Sequence, residues 1–106
     1  IYYLSFISIF KGNKQFETPY VNNKRHGLSS GWHSNGKKWY ETPYVNGKVH
    51  GFEIFWYPNG NKRYETPYMN NQAHGLRIGW NENSGTHNKI QFKNDLQHGS
   101  SIDFNY

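Results

Sequence analysis

The stretch "YETPYVNGKVHG" (residues 40–51) recurs on both sides of itself, as "FETPYVNNKRHG" (16–27) and "YETPYMNNQAHG" (64–75). A weaker echo, "NKIQFKNDLQHG", occupies 88–99. The His-Gly pairs begin at His26, His50, His74 and His98, 24 residues apart each time, and ETPY begins at Glu17, Glu41 and Glu65 with the same spacing. A fixed period of this size marks stacked supersecondary units. The 106 residues divide into units 4–27, 28–51, 52–75 and 76–99 and a half unit 100–106, together one repeat domain over 1–106.

Each unit reads as two strands. Apolar residues alternate at Phe52, Ile54 and Trp56, and at Leu76, Ile78 and Trp80; the second strand repeats the pattern at Tyr40, Thr42, Tyr44 and at Tyr64, Thr66, Tyr68. Period-two alternation predicts strands with one buried face. Composition agrees: 19% of residues are aromatic, and the eleven glycines suit turns. Each buried ring removes roughly 150–250 Å² from water, so rings can replace aliphatic residues in a core.

Turns separate the strands. "YPNGN" (57–61), with "HSNGK" (33–37) and "FKGNK" (10–14), suits a type I turn closed by a glycine bulge, a three-residue loop. "VNGK" (45–48), with "VNNK" and "MNNQ", places Asn or Gly where left-handed backbone is needed. Three residues in both loops would put every repeated aromatic on one face, whereas two would mix Glu65 with Ile54. The three-residue reading is preferred, because a slip of one inverts a strand's pattern. The expected fold is all-β: an elongated, twisted, single antiparallel sheet, a meander of about nine strands built from 24-residue hairpins. Pro19, Pro43 and Pro67 fit a central ladder poorly, so a break or bulge is expected at each ETP.

At "YPNGNKRYETPYMNNQAHG" (57–75) the chain resembles the MORN repeat: a Tyr-led strand, a turn with NG or NN, a basic residue, then HG. The variant form found in many bacterial proteins, antitoxin-like members included, is the closer match. The resemblance covers about 4–99. It departs from the usual pattern in a unit slightly longer than the family's, in ETPY where an acidic-Gly strand is usual, and in Gln91-Phe92-Lys93 in the last unit. It implies the hairpin-per-repeat sheet already read from the residues. It also implies a non-enzymatic role in protein–protein contact, with membrane lipids bound by some members and appended enzymes present in others.

The repeat argues against chemistry. Equivalent residues of successive units should lie ~9.6 Å apart, twice the strand spacing, whereas ligands of one zinc ion bond it at ~2.0–2.1 Å. His26, His50, His74 and His98 therefore read as structural, each held within its own hairpin with the Thr of ETPY as the candidate partner, and His33 and His87 lie outside that ladder. Glu17, Glu41 and Glu65 are too alike to divide into acid and base. No nucleophile or phosphate-loop motif is present. The expectation is a non-enzyme with no cofactor, no metal and no small-molecule substrate.

Trp32, Trp56 and Trp80, and Tyr20, Tyr44, Tyr68 and Phe92, read as columns of the core. A single layer leaves that face to be covered by its own curl or by another chain. Other positions change from unit to unit: Gln15, Trp39, Arg63, His87; Ile9, His33, Tyr57, Asn81; Ile7, Gly31, Phe55, Gly79. Trp39, Phe55, Tyr57, Arg63 and His33 are the candidate partner-binding residues, since aromatic rings with Arg are hot-spot chemistry.

The net charge of +5 favours an acidic partner. Lys14, Lys38 and Lys62 on one rim, and Lys24, Arg25 and Lys48 on the other, are candidates for lipid headgroups or phosphates. A protein partner is the leading expectation. A lipid- or phosphate-binding adaptor comes second and an antitoxin-like inhibitor of a toxin or nuclease third; nucleic acid is less favoured. A homodimer through the edge strand, residues 4–10, or through the aromatic face is a further expectation. The absence of cysteine leaves the redox compartment open, with the cytoplasm slightly favoured. The apolar start, "IYYLSFISIF", is too short to span a membrane and has no basic residue before it; without an initial Met it reads as trimmed, with upstream repeats or an export signal expected ahead of it.

Overall fold

A computed structural model describes residues 4–83, 85, 87–93, 96–97 and 102–104, with the side chains of 4–83, 85 and 88–93. His98, Asp95 and most of the half unit lie outside them. The described strands are β1 (Leu4–Lys11), β2 (Lys14–Val21), β3 (Lys24–Arg25), β4 (Gly27–Trp32), β5 (Lys38–Val45), β6 (Lys48–Val49), β7 (Gly51–Trp56), β8 (Lys62–Met69), β9 (Gln72–Ala73), β10 (Gly75–Trp80), β11 (His87–Lys93), β12 (Leu96–Gln97) and β13 (Ile102–Phe104). All belong to one antiparallel sheet. The pairs β3/β4, β6/β7 and β9/β10 are each one strand broken in two, and β12 and β13 both pair with β11, so the thirteen described pieces occupy nine positions of a meander. The slab measures 49 × 34 × 16 Å, a single layer.

The turns correct the expected register. The 57–61 and 33–37 loops close as three-residue turns: Gly60 N donates to Tyr57 O at 2.9 Å and Tyr57 N to Asn61 O at 2.8 Å, with the same bonds at 33–37. The turns at 22–23, 46–47 and 70–71 hold only two residues, since Val21 faces Lys24, Val45 faces Lys48 and Met69 faces Gln72. Both central residues have positive φ, 49° and 64° at Asn22 and Asn23 for example, as a type I′ turn requires. The turn at 12–13 is also a two-residue turn, because Lys11 faces Lys14.

After each three-residue loop the register then slips by one. Trp32 faces Lys38 but Gly31 faces Tyr40, and Trp56 faces Lys62 but Phe55 faces Tyr64. Trp39 and Arg63 are the bulged residues. The slip brings the ladders to the pairing that sequence reading set aside: Ile54 lies opposite both Glu65 and Glu41.

The repeated aromatics therefore do not share a face. Tyr20, Tyr40, Tyr44, Tyr64, Tyr68, Phe16 and Phe55 share one, the tyrosine face. Trp32, Trp56 and Trp80 lie on the other, the tryptophan face, with Ile54, Ile78 and the three glutamates.

The ladder does break at ETP, but the extra residues are in the facing strand. Tyr20 pairs with Arg25 and Glu17 with Ser30, so four residues, 26–29, face two, 18–19. Proline has no N–H to offer a ladder. Its carbonyl instead accepts from the His of the HG pair: His26 N to Pro19 O at 3.1 Å, and His50 to Pro43 and His74 to Pro67 at 3.0 Å. The next glycine then turns through φ of 105–118° beneath the proline ring. A Cβ on Gly75 would stand 2.9 Å from Pro67 Cγ, and Gly27 and Gly51 leave 3.1 Å to their prolines. HG and ETPY are thus two halves of one joint.

Burial is thin, as a single layer dictates. Ala73 is the one buried hydrophobic residue among those described; Thr42, Thr66, Ser29 and Ser30 are buried polar ones. Thr42 Oγ1 donates to Glu53 Oε2 at 2.8 Å, and Thr18 bonds Ser29 Oγ at 2.9 Å. The Thr of ETPY thus bonds across to the neighbouring strand, not to the HG histidine as expected.

Candidate functional site

The two bulges set the site. A bulge bends a strand and re-aims a side chain, and these two bring Trp39 and Arg63 onto the tyrosine face. Their counterparts Gln15 and His87 sit in unbroken register opposite Phe10 and Trp80, and Gln15 falls on the other face. Trp39 packs edge-on against Phe16 at 5.8 Å and Tyr40 at 5.4 Å between ring centroids. Tyr40 stacks on Phe55 at 5.6 Å, and Phe55 meets Tyr64 at 5.0 Å. His33 lies 5.8 Å from Trp39. One row of half-buried rings therefore crosses the two central units.

Glycine makes room for it. Tyr40 lies over Gly31, where a Cβ would collide with its ring. The set Ile7, Gly31, Phe55, Gly79 is thus not simply variable: at Gly31 and Phe55 it alternates hole and ring. Burial raises the Tyr40 phenol above its ordinary pKa, chiefly by desolvation, and keeps it neutral.

Cations cap the row. Lys14 Nζ lies 4.7 Å from the Trp39 ring centroid, Arg63 is 5.6 Å from both Tyr57 and Tyr64, and Arg77 is 4.5 Å from Tyr64. Such cation–π contacts hold a guanidinium in place without neutralising it. Arg25 sits over Tyr44 at 5.3 Å, and hydrogen bonding to Tyr20 first, with the Tyr44 phenol second, raises its pKa. Lys11, Lys14, Arg25, Arg63 and Arg77 stand on this face against one acid among the described side chains, Glu53, which Thr42 already ties down.

All five candidate partner-binding residues, Trp39, Phe55, Tyr57, Arg63 and His33, gather here. Two also brace the scaffold: His33 Nε2 donates to Trp56 O at 2.9 Å, and Tyr57 Oη to Trp80 O at 2.7 Å. Each reaches one unit forward from an equivalent position. Sequence reading left Arg77, Phe16, Tyr40 and Tyr64 out of the site. Arg77 carried a usable signal, because its equivalents are Ser29 and Glu53; the three rings looked like core.

The basic rims are not straight rows. Lys38 and Lys62 turn to the tryptophan face, where they pair with Glu41 at 3.5 Å and Glu65 at 2.9 Å and lie over Trp32 and Trp80. Lys14 is on the opposite face. On the other rim Lys24 and Lys48 pair with Val21 and Val45 on the tryptophan face, and Arg25 points away from them. His26 Nδ1 accepts from Asn46 N at 3.1 Å, a link between successive turns. Among the described residues no three His, Asp or Glu side chains gather as a metal site would need.

The family model of the MORN repeat variant matches residues 25–46 and 49–70. These two segments are MORN-variant repeats. The two matched segments run from the HG joint of one unit through the ETPY strand of the next, so they contain Trp39, Phe55, Tyr57 and Arg63. No curated protein matches the chain. The MORN unit supplies the hairpin and the joint; among the described residues, the bulges and the cation-capped rings of the tyrosine face fall in the two central units.

Proposed function

We propose that this chain is a non-enzymatic module that binds another protein across its tyrosine face. The observation that carries the reading is the pair of bulges that turns Trp39 and Arg63 onto one row of rings with Phe55 and Tyr57. Rings with arginine supply rigid area, a planar charge and little entropy loss, the usual anchors of an interface. The unbalanced cations select a partner whose contact surface is acidic. A toxin or nuclease held inactive by this face is one form of such a partner.

The lipid or phosphate reading rests on the lysine rims. It is weakened by Lys38 and Lys62 being engaged with glutamates on one face while Lys14 stands on the other. Affinity capture from the source cell tests the proposal, with Trp39→Ala and Arg63→Ala compared against Lys24→Ala/Lys48→Ala. The expected outcome is that the first two release a shared partner and the double rim variant keeps it. Binding that collapses between low and moderate salt, and that only the rim variant abolishes, would replace this reading with the phosphate one.

A further inference from the structure

The tryptophan face carries its own signal, independent of the tyrosine face and its partner. Ten large apolar side chains are exposed among the described residues. Eight of them share the tryptophan face, leaving only Ile7 and Ile9 for the other. Their exposure runs from 38% at Leu76 to 70% at Phe10. Leu4, Leu28, Val45, Phe52, Met69 and Leu76 form a stripe beside the tight-turn rim. Positions 4, 28, 52 and 76 hold Leu, Leu, Phe and Leu, and positions 21, 45 and 69 hold Val, Val and Met. An apolar side chain repeated in every unit and left exposed by the other described residues calls for a neighbour in another molecule.

We infer that a second copy of this chain covers the tryptophan face, sheet against sheet. Area supports it. At about half exposure a large side chain leaves on the order of 100 Å² in water, so eight leave on the order of 800 Å², about one partner's share of a standard interface. That exceeds the roughly 300–600 Å² of the largest apolar patch on an ordinary monomer.

The apolar pattern names the occupant: a second copy offers the same repeated stripe. The Lys38–Glu41 and Lys62–Glu65 pairs neutralise two of the lysines on this face, and Lys24 and Lys48 stand exposed at its rim. Two aligned sheets packed by their inner faces form a sandwich core, and the half-buried Trp32, Trp56 and Trp80 would complete it.

The test is sedimentation velocity of the chain across the micromolar range. The wild type, Phe52→Asp, Leu28→Asp and the edge-strand double variant Ile7→Lys/Ile9→Lys are compared, each first shown to keep its far-UV circular dichroism. Because Phe52 and Leu28 are exposed, the substitutions should spare the fold; if Phe52→Asp does not, Met69→Asp takes its place. The expected result is a wild-type dimer, association weakened on the order of 30-fold or more by either face variant, as for a hot-spot loss, and an unchanged dimer in the edge variant. A wild-type monomer throughout would overturn the inference. So would a dimer that the edge variant abolishes and Phe52→Asp keeps, which would mean strand pairing along β1. So too would a monomer that sediments with phosphatidylcholine vesicles unless Phe52 is changed, which would make the covering partner a lipid surface.

Discussion

Replacing Gly75 by Ala probes the joint between HG and ETPY. Gly75 has a φ of +114°, a region costing a side-chain-bearing residue on the order of 1–3 kcal/mol. The added Cβ would also stand 2.9 Å from Pro67 Cγ. A proline ring cannot rotate aside, so overpacking adds about 1–3 kcal/mol. The sum, about 2–6 kcal/mol, is a large share of the roughly 5–15 kcal/mol that holds a domain folded.

Gly47→Ala is the internal control. Its φ is +84° with nothing within 4 Å of the added atom, so only backbone strain remains, about 1–2 kcal/mol. Urea unfolding followed by tryptophan fluorescence measures each variant, and a double-mutant cycle with Pro67→Ala isolates the contact. The expected coupling between Gly75→Ala and Pro67→Ala is about 1–3 kcal/mol, the range for residues in contact. If Gly75→Ala costs no more than Gly47→Ala, or Pro67→Ala relieves none of it, the two motifs do not form one joint.

Three further outcomes follow from the geometry. The raised Tyr40 pKa means that above pH ~10 the unfolded chain releases a proton that the folded chain still holds, so stability falls as pH rises through that range. Tyr40→Phe should show a shallower alkaline loss in urea titrations, and parallel curves would contradict the burial. Thr42→Val leaves the half-buried Glu53 carboxylate without its 2.8 Å donor and should cost about 0.5–1.5 kcal/mol; a neutral result in thermal melts would remove that bond from the account. Lys62→Gln breaks an exposed pair and should change stability by no more than about 1 kcal/mol. A larger shift in the melting midpoint would mean that the pair braces the Trp80 ring.

Period, strand count and turn positions were legible in the sequence because they are local. Four HG pairs and three ETPY segments at one spacing specify hairpins stacked in phase, whatever the details of their ladders. The type I turn with its glycine bulge at 57–61 was equally readable from Pro-Asn-Gly. The face on which each ring sits was not. It depends on parity, and parity changes with every residue added to a loop or bulged from a strand. Asn-Asn at 22–23 makes a tight two-residue turn as well as it would fill a longer one, and nothing in "KWYE" or "KRYE" shows that Trp39 and Arg63 step out of register.

The joint at HG was half legible. Pro19, Pro43 and Pro67 pointed to a break, but the relief lies in the glycine of the adjacent strand, against the proline ring, which only the paired geometry reveals. The candidate site was found for a related reason: Trp39, Phe55, Tyr57 and Arg63 differ from their counterparts in sequence, and the fold then placed them together. The sequence by itself determined a stack of identical hairpins, because backbone period and turn chemistry are properties of neighbouring residues. Only the tertiary structure decided that the tyrosines share one face with Trp39 and Arg63, and that Trp32, Trp56 and Trp80 share the other with most of the exposed apolar residues, because side-chain direction in a sheet is fixed by register between strands, a relation no single strand contains.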